Sequence, residues 1–447
     1  MKKDREQWTS RLGFILAATG SAVGLGNIWR FSYVAGVNGG ALFLILYTAF
    51  ILLVGYPLMV TEISVGKITS RNPVGAFKAL SEGTPWWLVG ALGVFAGFII
   101  LSFYSIVAGW SLAYVIKAVR GFGSDMDFAG TFVGHISSVW PPIIWHGIFM
   151  LITIGLIAMG VVNGIQRASK ILMPVLFGLL LILIIRSITL PGAGEGIAFY
   201  LKPDLSELSF NTILAAIGQA FFSLSLGMGA MITYGSYLKD KEDVNGSAAW
   251  IAGLDSAVAI LAGFAIFPAV FALNMDPAAG PGLAFITIPA VFAQMPLGYF
   301  FGILFFILLS VAAVTSAISL LEVVVAWVVD EKGWSRKKAA LMLGGVIFLL
   351  GIPATLGYSL LSGVSFFGLD ILDTYDLIAS EITLPLGGLL MALFVGIKWK
   401  ARSVREFANS APGMIKIGKW YDVLITYLIP VMVGFVLIFG LISKFRG

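Results

Sequence analysis

The sequence predicts an all-α integral membrane protein of eleven transmembrane helices. Three observations predict it: 59% hydrophobic against 11% charged residues, eleven long apolar stretches, and glycine interruptions in the middle of the first and sixth stretches. Soluble domains carry roughly 25% charged residues. A chain of 447 residues with a mean hydropathy of +0.98 has too little polar sequence to cover a water-facing surface.

A membrane helix needs about 20 mostly apolar residues. Such stretches lie near 11–37, 39–66, 87–119, 142–161, 168–189, 210–236, 247–271, 296–329, 338–358, 371–397 and 422–443. No soluble domain fits between them, so residues 1–447 read as one transmembrane domain. The longest connections, near 272–295 and 398–421, have room for short helices. The polar segment Met1–Arg11 lacks the pattern of a signal peptide, and the apolar run after it reads as a retained span. With the N-terminus inside, 21 of the 28 Lys and Arg residues fall on cytoplasmic segments. That bias orients the protein with a cytoplasmic N-terminus and, for eleven spans, an extracellular C-terminus, in the cell (plasma) membrane.

Composition also excludes functions. Cysteine is absent, which removes disulfide scaffolds, thiolate metal sites and cysteine nucleophiles. Two histidines, His135 and His146, make no histidine metal cluster. No nucleophile–base set is evident, so an enzyme is not expected and no organic cofactor is implied. The net charge of +5 is spread between apolar runs, a pattern of membrane topology and not of nucleic-acid binding.

The first span, LGFILAATGSAVGLGNIWRF, is interrupted by Gly20, Gly24 and Gly26, with Asn27 and Arg30 just behind. The sixth, AIGQAFFSLSLGMGAMITYGSY, is interrupted by Gly227 and Gly229 after Ser223 and Ser225. Glycine also serves close helix packing. However, the two interruptions sit five helices apart, so spans 1–5 (about 11–189) and 6–10 (about 210–397) form matching halves. An extra helix follows near 422–443. This is the signature of a 5+5 inverted-repeat transporter with discontinuous helices 1 and 6. A broken helix frees carbonyls for cations and N–H groups for an anion.

The fifth span has Asn163-Gly164 at its inner end and Pro174 further on. It reads either as a segment that unwinds toward the cytoplasm or as a static kink. In the eighth span, Ala312-Ala313-Val314-Thr315-Ser316 offers adjacent hydroxyls. They serve as back-bonds to their own helix or as ligands for a hard monovalent cation. Asp255, within WIAGLDSAVAILAG, is a carboxylate at membrane depth and hence a functional candidate. Glu62 and Glu322 raise the same question nearer the inner face.

RLGFILAATGSAVGLGNIWRF, QAFFSLSLGMG, AAVTS and LDILDTYD together resemble the neurotransmitter:sodium symporter family, over almost the whole chain and nearest its bacterial hydrophobic amino-acid branch. The resemblance implies sodium-coupled alternating access with two sodium ions. The first would use the Ala22 carbonyl, Asn27, Ser223, Asp255 and the substrate carboxylate. The second would use carbonyls of Gly20, Val23 and Ala312 with the hydroxyls of Thr315 and Ser316. The substrate carboxylate would meet N–H groups of Leu25 and Gly26 and the hydroxyl of Tyr104. The ammonium would meet carbonyls of Ala22, Phe222 and Ser225. Amine-transporting members resemble one another in an aspartate where this chain has Gly24, so the substrate here is expected to bring its own carboxylate.

The side-chain pocket implied by the resemblance is Ile100, Phe222, Met228 and Leu320, which offers no opposite charge. Hydrophobic amino acids are therefore expected, with Met228 leaving room for aromatic ones. Asp255 stands where the family usually has asparagine, and Ala259 where chloride-dependent members have serine. Chloride-independent transport is expected on that basis. The outer gate would be Arg30 and Asp376, with Gln219 steadying Arg30 above Tyr104 and Phe222. The inner gate would be Arg5 and Asp330, with Trp8 and Tyr237. Ordinary interfacial ion pairing is the plainer reading of both pairs. The rival functions are the same fold carrying another small zwitterionic solute, proton-linked coupling, and a channel.

Overall fold

The computed structural model describes residues 6–123, 125–277 and 280–446. These residues form helices α1 (Arg11–Ala22), α2 (Gly26–Val37), α3 (Ala41–Thr69), α4 (Pro73–Leu80), α5 (Trp87–Arg120), α6 (Phe128–Ile136), α7 (Trp140–Ala158), α8 (Val161–Ile188), α9 (Ala193–Leu201), α10 (Phe210–Ser223), α11 (Ala230–Gly235), α12 (Val244–Ala272), α13 (Thr287–Gln294), α14 (Gly298–Lys332), α15 (Arg336–Leu356), α16 (Ile371–Trp399), α17 (Ala401–Ser410) and α18 (Trp420–Ile442). Several begin on side-chain caps that satisfy free N–H groups. Ser10, Asn72, Ser209, Asp243 and Asp370 cap α1, α4, α10, α12 and α16.

Nine of these helices are long and apolar enough to cross a membrane, and α1 with α2, bent by 54°, makes a tenth span. The sixth apolar stretch differs from the expectation of one span-length helix. Helix α10 stops at Ser223, and Leu224–Gly229 is not helical before α11 begins. Ser225, Gly227 and Gly229 all have positive φ, which a continuing helix forbids. Gly227 has a second reason to be glycine: a Cβ there would lie 2.3 Å from the Leu384 carbonyl oxygen.

Burial sorts the helices. The apolar windows of α5 and α14 are 72% buried, against 17% for α18. The first two therefore form the centre of the bundle, packed on each other, and α18 lies at its periphery facing lipid. The expected short helices appear in the two long connections as α13 and α17. Helix α8 starts at Val161, seven residues before the expected boundary, because its first turn, Val161–Gln166, is π-helical.

Candidate functional site

The break between α1 and α2 is placed against α5, α10, α12 and α14. At Val23 the chain turns extended (φ −72°, ψ 110°), so carbonyls of the last α1 turn point sideways. Ser316 Oγ lies 3.4 Å from the Gly20 oxygen and 3.1 Å from those of Ser21 and Val23. Thr315 Oγ1 lies 3.3 Å from the Val23 oxygen and 2.9 Å from that of Ala312. All five groups named for the second sodium site thus converge, and the hydroxyls do more than back-bond to their own helix.

A second polar cluster lies on the other side of the break. The Asp255 carboxylate is fully buried and accepts from Asn27 Nδ2 (2.7 Å), Ser223 Oγ (2.6 Å) and Tyr47 Oη (3.3 Å). Asn27 Oδ1 accepts from the Gly24 N–H at 3.0 Å. The arrangement gathers oxygen ligands of the type a hard cation requires. Tyr47 lies in the apolar run ALFLILYTAF, where nothing in the sequence marked it.

Between the clusters, a cavity is lined by Ala22, Gly24, Gly26, Ile100, Tyr104, Phe222, Ser225, Met228 and Leu320, joined by Ser21, Ser316 and Leu384. Leu384 and Ser21 were not expected. The cavity measures about 30 Å³. Tyr104 Oη accepts from the Leu25 N–H at 3.1 Å, so these two substrate candidates meet. The Ser225 N–H donates to the Phe222 carbonyl, and its hydroxyl donates to Ser21.

Above lies a chamber of about 230 Å³, lined by Leu25, Arg30 and Asp376 among aromatic residues. The Arg30 guanidinium sits 4.5 Å from the Phe222 ring centre. Arg30 and Asp376 face this chamber without a direct ion pair among the described contacts. Gln219 corrects its expected role: its Nε2 donates to the Gly26 carbonyl at 2.8 Å and its Oε1 has no hydrogen-bond partner in the structure. It braces the helix break and not Arg30, sharing the Gly26 carbonyl with the backbone N–H of Phe31. Near the chamber, outside the spans, burial and then Lys117 push the His135 pKa down to about 4, so this imidazole is neutral at physiological pH.

On the opposite side, Trp8 is buried, donates from Nε1 to the Tyr234 carbonyl (2.9 Å), and packs edge-on against Tyr237. Arg5 lies outside the described residues. Asp330 accepts from the N–H and side-chain amide of Asn72. Tyr237 donates to Glu322, whose buried carboxylate is held by a two-pronged bond from Arg336 at 2.6 and 2.9 Å. Removing one partner of a buried pair strands the other charge. Arg336→Ala is therefore expected to destabilise the protein by about 3 kcal/mol. An unchanged melting temperature in detergent would count against this. Helix α8 runs unbroken past Pro174, and a Cβ at Gly164 would lie 1.9 Å from the Leu156 oxygen.

A broken membrane helix whose carbonyls, hydroxyls and one buried carboxylate surround a small chamber defines a solute transporter, not an enzyme. The chain belongs to the sodium:neurotransmitter symporter family, whose profile matches residues 5–123 and 139–446. It is 40% identical to the uncharacterized sodium-dependent transporter YhdH of Bacillus subtilis, over 98% of each chain. It is 29% identical to the sodium- and chloride-dependent taurine transporter of Bos taurus, over 78% of this chain and 65% of that one. Among solved structures it resembles MhsT in complex with L-phenylalanine, with a TM-score of 0.90 and 49% identity, covering 97% of this chain and 99% of that one. The protein is thus a multi-pass, sodium-dependent membrane symporter.

Proposed function

We propose that the protein carries hydrophobic and aromatic L-amino acids into the cell with two sodium ions, independently of chloride, by alternating access. The observation that carries this reading is the pair of oxygen clusters flanking one apolar cavity, beneath the aromatic chamber. The ions would sit at Asn27, Ser223 and Asp255 with the Ala22 carbonyl, and at Gly20, Val23, Ala312, Thr315 and Ser316. The amino-acid carboxylate would take the N–H groups of Leu25 and Gly26 and the Tyr104 hydroxyl, and its side chain would lie against Ile100, Phe222, Met228 and Leu320. The phenylalanine complex of a relative half identical in sequence supports this substrate class. A buried carboxylate at Asp255 supports chloride independence, since it supplies negative charge beside the first ion.

The same reading makes α10 and α11 one discontinuous span, which brings the total to eleven, arranged as repeats 11–189 and 210–397 plus α18. Helix 1 and helix 6 are then broken at equivalent places. The N-terminus is cytoplasmic and the C-terminus extracellular. Arg30 with Asp376, and Arg5 with Asp330, would close the two sides in turn, and the Gly164–Pro174 segment would unwind to open the inner path.

Uptake into proteoliposomes under an imposed sodium gradient tests the function. Concentrative phenylalanine, tryptophan and leucine uptake is expected, equal in chloride and gluconate and absent when potassium replaces sodium. Failure of all three in folded protein would sink the substrate assignment. Met228→Phe is expected to lower tryptophan uptake about tenfold relative to leucine, because a rigid ring replaces an adaptable chain. An unchanged ratio would remove Met228 from the side-chain pocket.

A further inference from the structure

The segment ahead of α1 is tied to the start of α8 by contacts in which none of the proposed ion or substrate residues takes part. Helix α7 ends before Gly160, whose φ of +94° turns the chain sharply. The π-helical turn Val161–Gln166 follows. Glu6 reaches across to accept a hydrogen bond from the Val161 N–H. Gln166 is only 3% exposed and spends both ends of its amide on one residue. Its Oε1 accepts from the Thr9 N–H at 3.0 Å, and its Nε2 donates to Thr9 Oγ1. The backbone donor sets the orientation of the amide. The Gln166 stem also packs on Gly13, where a Cβ would come within 2.7 Å of it.

Two turns along the same helix, Met173 reaches the second oxygen cluster. A Cβ at Gly20 would meet Met173 Sδ at 3.3 Å and Thr315 Cβ at 3.2 Å. Helix α8 therefore touches the N-terminal segment at one end and the wall of the proposed second sodium site further up.

We infer that Gln166 is a positioning residue that couples the N-terminal segment to α8, so that release of the segment and withdrawal of α8 from the second sodium cluster occur together. The inference rests on the alternating-access reading above. Two hydrogen bonds bias the closed arrangement by about tenfold. That is strong enough to hold it and weak enough to break in each cycle.

The absence of cysteine makes a single-thiol test clean. Ser169→Cys places a buried reporter one turn beyond Gln166, where the native hydroxyl bonds only the Ile165 carbonyl. In nanodiscs with saturating sodium, the rate of its modification by a water-soluble maleimide is measured. Gln166→Ala is expected to raise the rate about tenfold, and Thr9→Val to raise it by a smaller factor because the Thr9 N–H remains. The double substitution is expected to do no more than Gln166→Ala alone. The substrate KM is expected to hold within about twofold while kcat falls. A Gln166→Ala rate within twofold of the parent, or fully additive effects, would overturn the coupling. If Gln166→Ala fails to fold, Thr9→Val decides, since Thr9 is exposed; an unchanged rate would then overturn it. Absence of sodium-driven uptake in the parent would instead overturn the function proposed above, and the modification rates would still decide the coupling.

Discussion

Asp255→Ala is expected to raise the sodium concentration for half-maximal uptake about 100-fold. The carboxylate is fully buried and ties together three elements: Asn27 from α2, Ser223 from α10 and Tyr47 from α3. Its removal takes the negative charge from beside the first proposed ion and leaves the buried Ser223 hydroxyl without its acceptor, while Asn27 keeps the carbonyl of residue 255 and Tyr47 keeps Ser223 Oγ. A buried group left unsatisfied costs about 1–3 kcal/mol, and a 100-fold loss corresponds to about 2.7 kcal/mol. Asp255→Asn keeps the volume and one acceptor oxygen but loses the charge. Its uptake is expected to become responsive to chloride over gluconate, as an external anion replaces the missing one. A sodium titration of Asp255→Ala that overlays the wild type would remove Asp255 from the ion site. Indifference of an active Asp255→Asn protein to chloride would show that the charge of Asp255 does not stand in for an anion.

The second large effect is expected at Gly24. A Cβ built there would lie 2.3 Å from Ser316 Oγ and 2.7 Å from Tyr104 Oη. Neither atom is free to move. Ser316 bonds carbonyls of Ser21 and Val23, and Tyr104 accepts from the Leu25 N–H. One added methyl therefore strikes the proposed carboxylate site and the second sodium site at once, and overpacking alone costs about 1–3 kcal/mol. Gly24→Ala is expected to lose at least about 100-fold in uptake while remaining folded, as judged by its elution and melting temperature in detergent. Uptake within threefold of the wild type would mean that the substrate does not sit at the helix break.

Much of the site was legible because its backbone parts are local. Gly20 to Asn27 lie within one turn-rich stretch, and Ser223 to Gly229 within another. Glycines at those places announce interrupted helices before any contact is known. Thr315 and Ser316 stood out as neighbouring hydroxyls, and Asp255 as a charge in an apolar run. Tyr47 did not, because α3 is apolar along most of its length and its partner Asp255 lies 208 residues away. Leu384 is an ordinary leucine until Gly227 packs on its carbonyl. The role expected of Gln219 failed for a related reason. Its acceptor, the Gly26 carbonyl, lies 193 residues away and also takes the Phe31 N–H, so the bond depends on how α10 packs against the break.

Membrane residence, the approximate spans and the two interruptions were determined by sequence alone. Bilayer thickness demands long apolar runs, and glycine's freedom at positive φ acts within a few residues. Tertiary structure decided which oxygen meets which. Thr315 finds Val23 across 292 residues and Gln166 finds Thr9 across 157. Those meetings depend on how the helices pack, and no local pattern of hydrophobicity or backbone preference encodes a contact between residues so far apart.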